Sequence, residues 1–276
     1  MQEEACPKPG LVSFVGAGPG DPGLLTIKGR DAIAAADLVL YAGSLVPREV
    51  VACARPGAAV VDSAPLTREE SHARVREVAL TGGLVARVNT GDPSLYGALR
   101  EQATLLDADG IPWRVIPGVT AACAAAAAAG VSFSIPGARQ SLILCRAAGR
   151  TPVPERESLA ALAAHHASMA VYLSAAQACR MAEELGAELA PQTPVLCAQR
   201  VSWPDQRLVW TTLGELAACV EKNGFDRQTI FLVLPGEDTA GEARSRLYAP
   251  DFSHGWRPEK LKGLPGKDDP CTAEDA

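Results

Sequence analysis

Five short apolar runs in the first half of the chain each break at glycine, proline or aspartate. They are "GLVSFVGAG", "DLVLYAG", "AAVVDSA", "LVARVNTGD" and "IPWRVIPG", and a helical stretch follows each one. Runs that are apolar on both faces, rather than alternating, belong to strands covered on both sides. The stretches between them supply that cover: "LLTIKGRDAIAAA", "VPREVVACA", "TREESHARVREVALTG", "LYGALREQATLLDADG" and "VTAACAAAAAAGV". Thr67 and Glu70 have capping-box spacing, and Gly110 stands where a helix stops. The pattern predicts an α/β fold with a largely parallel first sheet.

Near "SFSIPGARQ" the pattern breaks at Pro136 and Gly137 and then restarts. Strand and helix signals alternate again through "SLILCRA", "SMAVYLSA", "TPVLCAQRV" and "TIFLVLPGE", and "DQRLVWTTL" can add an antiparallel strand. A chain of 276 residues suits two such domains. The expected division is 11–137, 138–250 and an irregular tail over 251–276.

The net charge of −6 argues against a nucleic-acid partner, which calls for a basic footprint. No apolar stretch reaches the ~18 residues of a membrane span. The start, "MQEEACPKPG", lacks the apolar core of a signal peptide. A soluble cytoplasmic protein without a membrane partner is expected. The eight cysteines form no C-x-x-C pair and lie mostly in apolar runs, so they read as reduced small hydrophobes and not as a metal site. The four histidines show no metal-ligand spacing and read as structural.

Chemistry concentrates at strand ends. "GAGPGDPG", residues 16–23, brings three glycines to the end of the first strand. A dinucleotide fingerprint needs a third glycine where Asp21 stands, and an acidic residue at the end of the second strand. Pro19 interrupts the loop and Asp37 lies at the wrong end of that strand, so a nicotinamide cofactor is disfavoured. In "NTGDPSLYG", residues 89–97, Gly91 permits a tight turn and Pro93 stiffens it around Asp92. Asp92 either caps the next helix or faces a ligand. Tyr96 either offers an aromatic face to a cation or packs in the core. "IPGVTAACAA" adds Gly118 and Thr120 at another strand-to-helix junction, and "MAVYLSA" and "VLCAQRVSWPDQ" end strands in the second half. No Ser-His-Asp or Cys-His arrangement and no Walker lysine is signalled.

Together, "VGAGPGDPGLLTIKG", "ADLVLYAGSLV", "NTGDPSLYGALREQ", "IPGVTAACAAAAAAG" and "AVYLSAAQ" resemble the tetrapyrrole methylases over residues 11–246. "YAGSLVP" and "TGDPSLYGALREQ" look closest to the precorrin-4 C(11)-methyltransferase branch, including its cobalt-precorrin-4 counterpart. The resemblance implies two α/β domains with S-adenosylmethionine in the cleft between them, and a homodimer. It maps cofactor contacts onto Pro19, then Gly91, Asp92 and Pro93, then Thr120 and Ala121, then Tyr172, Leu173 and Ala198. Tyr96 joins them as the aromatic of the Gly-Asp-Pro loop. Many relatives carry Gly-Arg where this chain has Gly97-Ala98, so an arginine role there does not carry over. The implied reaction is direct displacement of a methyl group by a ring carbon, which needs no enzyme nucleophile, and no catalytic residue is named. The substrate's rim carboxylates call for arginines, and Arg48, Arg100, Arg139 and Arg146 are the candidates. Two other readings stay open: a methylase of uroporphyrinogen III or of another precorrin, and a nucleotide-binding regulatory module without chemistry.

Overall fold

The computed structural model describes residues 8–237, together with 244, 245 and 252. The expected tail over 251–276 lies, except for residue 252, outside the described residues. The first sheet contains β1 (Val12–Gly16), β2 (Leu38–Tyr41), β3 (Ala59–Asp62), β4 (Val85–Asn89) and β5 (Trp113–Ile116). Its order is β3-β2-β4-β1-β5 and every pairing is parallel. Helix α1 (Ile27–Ala35) packs through Ile33 on one face, against Val15, Val39 and Val88. Helices α2 (Arg68–Leu80) and α3 (Leu99–Ala108) cover the other through Val75 and Leu106, against Val12, Phe14 and Leu40. The capping box of α2 forms as its spacing predicts: the Thr67 hydroxyl accepts from the Glu70 N–H at 3.1 Å, and the Glu70 carboxylate accepts from the Thr67 N–H at 2.7 Å.

The second sheet holds β6 (Leu142–Arg146), β7 (Ser168–Tyr172), β8 (Pro194–Gln199), β9 (Arg207–Thr212) and β10 (Thr229–Val233) in the order β6-β7-β10-β8-β9. Only β6 and β7 run parallel; β10 enters between β7 and β8 antiparallel to both, and β9 lies antiparallel to β8. Helices α5 (Leu159–Ala163), α6 (Ala178–Gly186) and α7 (Leu216–Asn223) cover one face over Met169, Val171 and Phe231.

The opposite face is covered by α4 (Ala121–Ala129), whose Ala122, Ala125 and Ala126 pack on Ala170, Leu196, Ala198 and Ile230. The alanine helix therefore belongs with the second sheet. The chain changes sheets in residues 117–120, one helix earlier than the Pro136-Gly137 break suggests. That break is a tight turn closed by the Ile135–Arg139 bridge. Among the described residues no helix is long and apolar enough to cross a membrane.

Candidate functional site

The loops after β1, β4 and β5 emerge side by side at the carboxyl edge of the first sheet, where open α/β sheets bind ligands. Glycine lets them touch. A Cβ on Gly118 would stand 2.2 Å from the Gly91 carbonyl oxygen, and one on Gly16 would stand 2.5 Å from the Gly118 backbone. Gly18 and Gly91 exchange backbone hydrogen bonds of 3.2 and 2.8 Å. Asp92 locks the arrangement. One carboxylate oxygen accepts from the Ser94 N–H at 2.9 Å and from the Ser94 hydroxyl; the other accepts from the Gly118 N–H at 2.9 Å. Partial burial works against the charged form, but these three bonds outweigh it and hold the Asp92 carboxyl below its ordinary range. Asp92 thus ties two loops together, with one further tie to the first turn after the Gly-Asp-Pro loop.

The second half closes the site. The Tyr172 hydroxyl bonds the Thr120 hydroxyl and accepts from the Ala122 N–H at 3.2 Å, pinning the start of α4. Burial raises the Tyr172 phenol above its ordinary value, so it stays protonated. Trp203 donates from its indole nitrogen to the Pro19 carbonyl at 2.9 Å, and its ring fills the space a side chain on Gly20 would need. The Ser202 hydroxyl accepts from the Asp21 N–H at 2.9 Å, and Arg200 stacks on Trp203 at 3.9 Å. A loop of the second half therefore grips the first glycine loop.

Between these elements lies a cavity of about 830 Å³, within the roughly 300–1,000 Å³ of small-molecule sites. Of the residues expected at the cofactor, Pro19, Gly91, Asp92, Tyr96, Thr120, Ala121, Tyr172 and Leu173 line it. Ala198 does not: its side chain is fully buried in the contact with α4. Pro93 lines a separate shallow pocket beside Arg100. The Tyr96 and Tyr172 rings lie 5.5 Å apart. Seven non-glycine residues described have left-handed φ, and five of them, Tyr96, Ala98, Leu173, Arg200 and Gln228, line this cavity. Such backbone is costly and persists where the surroundings enforce it, commonly at ligand sites.

The four arginines expected at the substrate are placed elsewhere. Arg48 and Arg100 are exposed and outside the cavity lining. Arg146 donates to the carbonyls of Ala147, Thr151 and Pro152. Arg139 is 3% exposed, with its guanidinium on the Phe133, Ser132 and Pro235 carbonyls and on the Glu237 carboxylate, so it braces a turn and has no free edge for a ligand. The arginines lining the cavity are Arg68, Arg87, Arg200 and Arg227. One signal could have pointed to Arg87: it is the lone charge inside the apolar run "LVARV".

Among the described residues of the wall no nucleophile is hydrogen-bonded to a histidine or carboxylate base. His72 lines the cavity and bonds Asp109 at 2.7 Å. No cluster of three or more potential metal ligands occurs among the described residues. Burial holds the buried thiols protonated, with Cys145 pushed up to about 12 and Cys197 raised further. Cys123 and Cys179 are exposed.

Comparison with known proteins agrees with this geometry. The profile of the Tetrapyrrole (Corrin/Porphyrin) Methylases matches residues 11–217. The chain is 41% identical over 248 residues to the cobalt-precorrin-4 C(11)-methyltransferase of Priestia megaterium, covering 88% of this chain and 96% of that one. It is 43% identical over 249 residues to the precorrin-4 C(11)-methyltransferase of Pseudomonas aeruginosa, covering 90% and 98%. Among solved structures, a cobalt precorrin-4 methyltransferase superposes with a TM-score of 0.79 at 41% identity, over 81% of this chain and 94% of that one. The uroporphyrin-III C-methyltransferase of Thermus thermophilus, complexed with S-adenosylhomocysteine, gives 0.68 at 28% identity, over 82% and 97%. Profile, relatives and a cavity shared by the two α/β halves converge: this chain belongs to the tetrapyrrole methylases and is an S-adenosylmethionine-dependent methyltransferase.

Proposed function

We propose that the chain methylates carbon 11 of precorrin-4 or cobalt-precorrin-4. The observation that carries this reading is the cavity itself: glycine loops of the first half and Tyr172, Leu173 and Arg200 of the second line one space, in a chain about 40% identical to enzymes of that name. Residues present suit the cofactor. Gly16, Gly91 and Gly118 pack the loops against one another and set the wall on which Gly91 meets the cavity, and the paired rings of Tyr96 and Tyr172 would offer aromatic surface to a cation.

Bound S-adenosylmethionine supplies a methyl group on a sulfonium that leaves as a neutral thioether. The chain's own work is positioning. The Asp92 and Trp203 ties fix the loops, and holding reacting atoms at ~3–3.5 Å in line removes much of the entropic barrier. Leu173, at 69% exposure, adds an apolar residue to the cavity lining. The same reading takes the working form as a cytoplasmic homodimer, for which exposed Trp113 and Val115 on the edge strand β5 offer apolar surface.

The test offers the purified protein S-adenosylmethionine with precorrin-4, its cobalt form or uroporphyrinogen III, and reads products by mass spectrometry. One added methyl on a precorrin-4 form is expected. Methylation of uroporphyrinogen III alone would move the chain to another branch of the family, and cofactor binding without turnover would favour a regulatory module.

A further inference from the structure

Arg87 is a charged residue on an apolar face. Its register partners are Leu40 on β2 and Phe14 on β1, so its side chain leaves the sheet on the side packed by α2 and α3. A limb of the cavity runs there, lined by Phe14, Leu40, Val75, Leu106 and Arg87. The guanidinium has only neutral partners: Nε donates to the Gln102 side-chain oxygen at 3.0 Å, and Nη1 donates to the Ser63 hydroxyl at 2.7 Å and the Leu40 carbonyl at 3.4 Å. No ion pair reaches it among the described residues. Nη2 makes no hydrogen bond within the described residues, yet it is not among their sealed, unpartnered atoms. It is therefore not sealed off, and Arg87 is among the residues that line the cavity. Among the described residues, the one sealed polar side-chain atom without a partner is Oδ1 of Asn89, two residues along the same strand and so on the same face.

A buried guanidinium without a counter-charge is costly, and burial alone pushes the Arg87 group below its ordinary value. Its fork suits a carboxylate, which would supply the missing counter-charge. We propose that Arg87 binds one carboxylate of the tetrapyrrole substrate in this limb of the cavity. The proposal rests on the tetrapyrrole-methylase reading and names its specificity contact; the cofactor's own carboxylate is the competing source of the same chemistry.

Arg87→Gln keeps hydrogen bonding and removes the charge, whereas Arg87→Lys keeps the charge and removes the fork. Wild-type turnover on precorrin-4 or its cobalt form tests the underlying reading by itself. Given that turnover, the assignment expects the KM for the tetrapyrrole to rise at least tenfold in Arg87→Gln and by less in Arg87→Lys. The Kd for S-adenosylhomocysteine, read by calorimetry, stays within twofold. The thermal midpoint of Arg87→Gln does not fall, since an unpaired buried charge has been removed. An unchanged KM overturns the assignment. So does a parallel loss of S-adenosylhomocysteine affinity, which gives the carboxylate to the cofactor. A lowered midpoint without a selective KM effect, or failure of both variants to fold, makes Arg87 a structural brace and overturns it as well.

Discussion

Asp92 sits in a loop whose spacing suits either a helix cap or a ligand contact, and its geometry resolves toward architecture. Its hydrogen bond to the Gly118 N–H spans 26 residues, a distance at which no local pattern in "NTGDPSLYG" can announce the partner. Hydrogen bonds to a charged group contribute about 1.5–3 kcal/mol, so Asp92→Asn should destabilise the fold by an amount of that order at pH 7. The pH dependence has a definite sign. The folded carboxyl lies below its ordinary range, so its contribution is present above the unfolded value near 4 and is lost as pH falls through the lower folded value. Denaturant melts of both proteins across that acid range should converge as pH drops; a constant gap would remove the charge from the account. Gly118→Ala tests the packing of the loops. With its Cβ placed 2.2 Å from the Gly91 carbonyl, the backbones must part. A loss of about 1–3 kcal/mol is expected, along with weaker S-adenosylhomocysteine binding, and both are measurable on the purified variant.

At the level of elements, the strands of the first sheet and their helices are legible because a doubly covered parallel strand has its own apolar signature. Two features of the second half are not. Periodicity does not distinguish a parallel from an antiparallel neighbour, so "TIFLVLPGE" reads as a strand without revealing that β10 enters between β7 and β8. A helix of eight alanines and one cysteine shows no amphipathic face, so "AACAAAAAA" does not reveal which sheet it covers. The structure gives the reason for the alanines: Ala122 and Ala125 are fully buried against Ala170 and Ala198, and the small side chains allow close approach. Ala125→Leu should therefore cost about 1–3 kcal/mol through overpacking, whereas leucine at exposed Ala127 should leave stability within about 0.5 kcal/mol. Equal costs at the two positions would contradict the packing of α4 on the second sheet. The substrate arginines show the same limit at the site. An arginine's partners are set by tertiary structure, so exposed Arg48 and buried Arg139 look alike as letters.

At the scale of the molecule, two halves are joined by few but directional contacts: Trp203 to Pro19, Ser202 to Asp21, Tyr172 to Thr120, and the Gln228 side chain to the Leu45 carbonyl at 3.4 Å. Pro19, Thr120, Tyr172, Trp203 and Gln228 among these partners also line the cavity. Trp203→Phe keeps a ring against Gly20 and removes the bond to Pro19. A net loss of about 0.5–1.5 kcal/mol corresponds to roughly two- to tenfold weaker cofactor binding, read by calorimetry with S-adenosylhomocysteine; undiminished affinity would separate the grip from the site. The central claim is that this cavity delivers one methyl group to carbon 11 of a precorrin-4-type macrocycle. S-adenosylmethionine carrying a carbon-13 methyl, turned over on precorrin-4 or its cobalt form, puts that claim to a single nuclear magnetic resonance measurement. The account predicts one labelled methyl per macrocycle, at carbon 11, with one S-adenosylhomocysteine released for each. A label at any other ring carbon, or no label in the macrocycle, would contradict it.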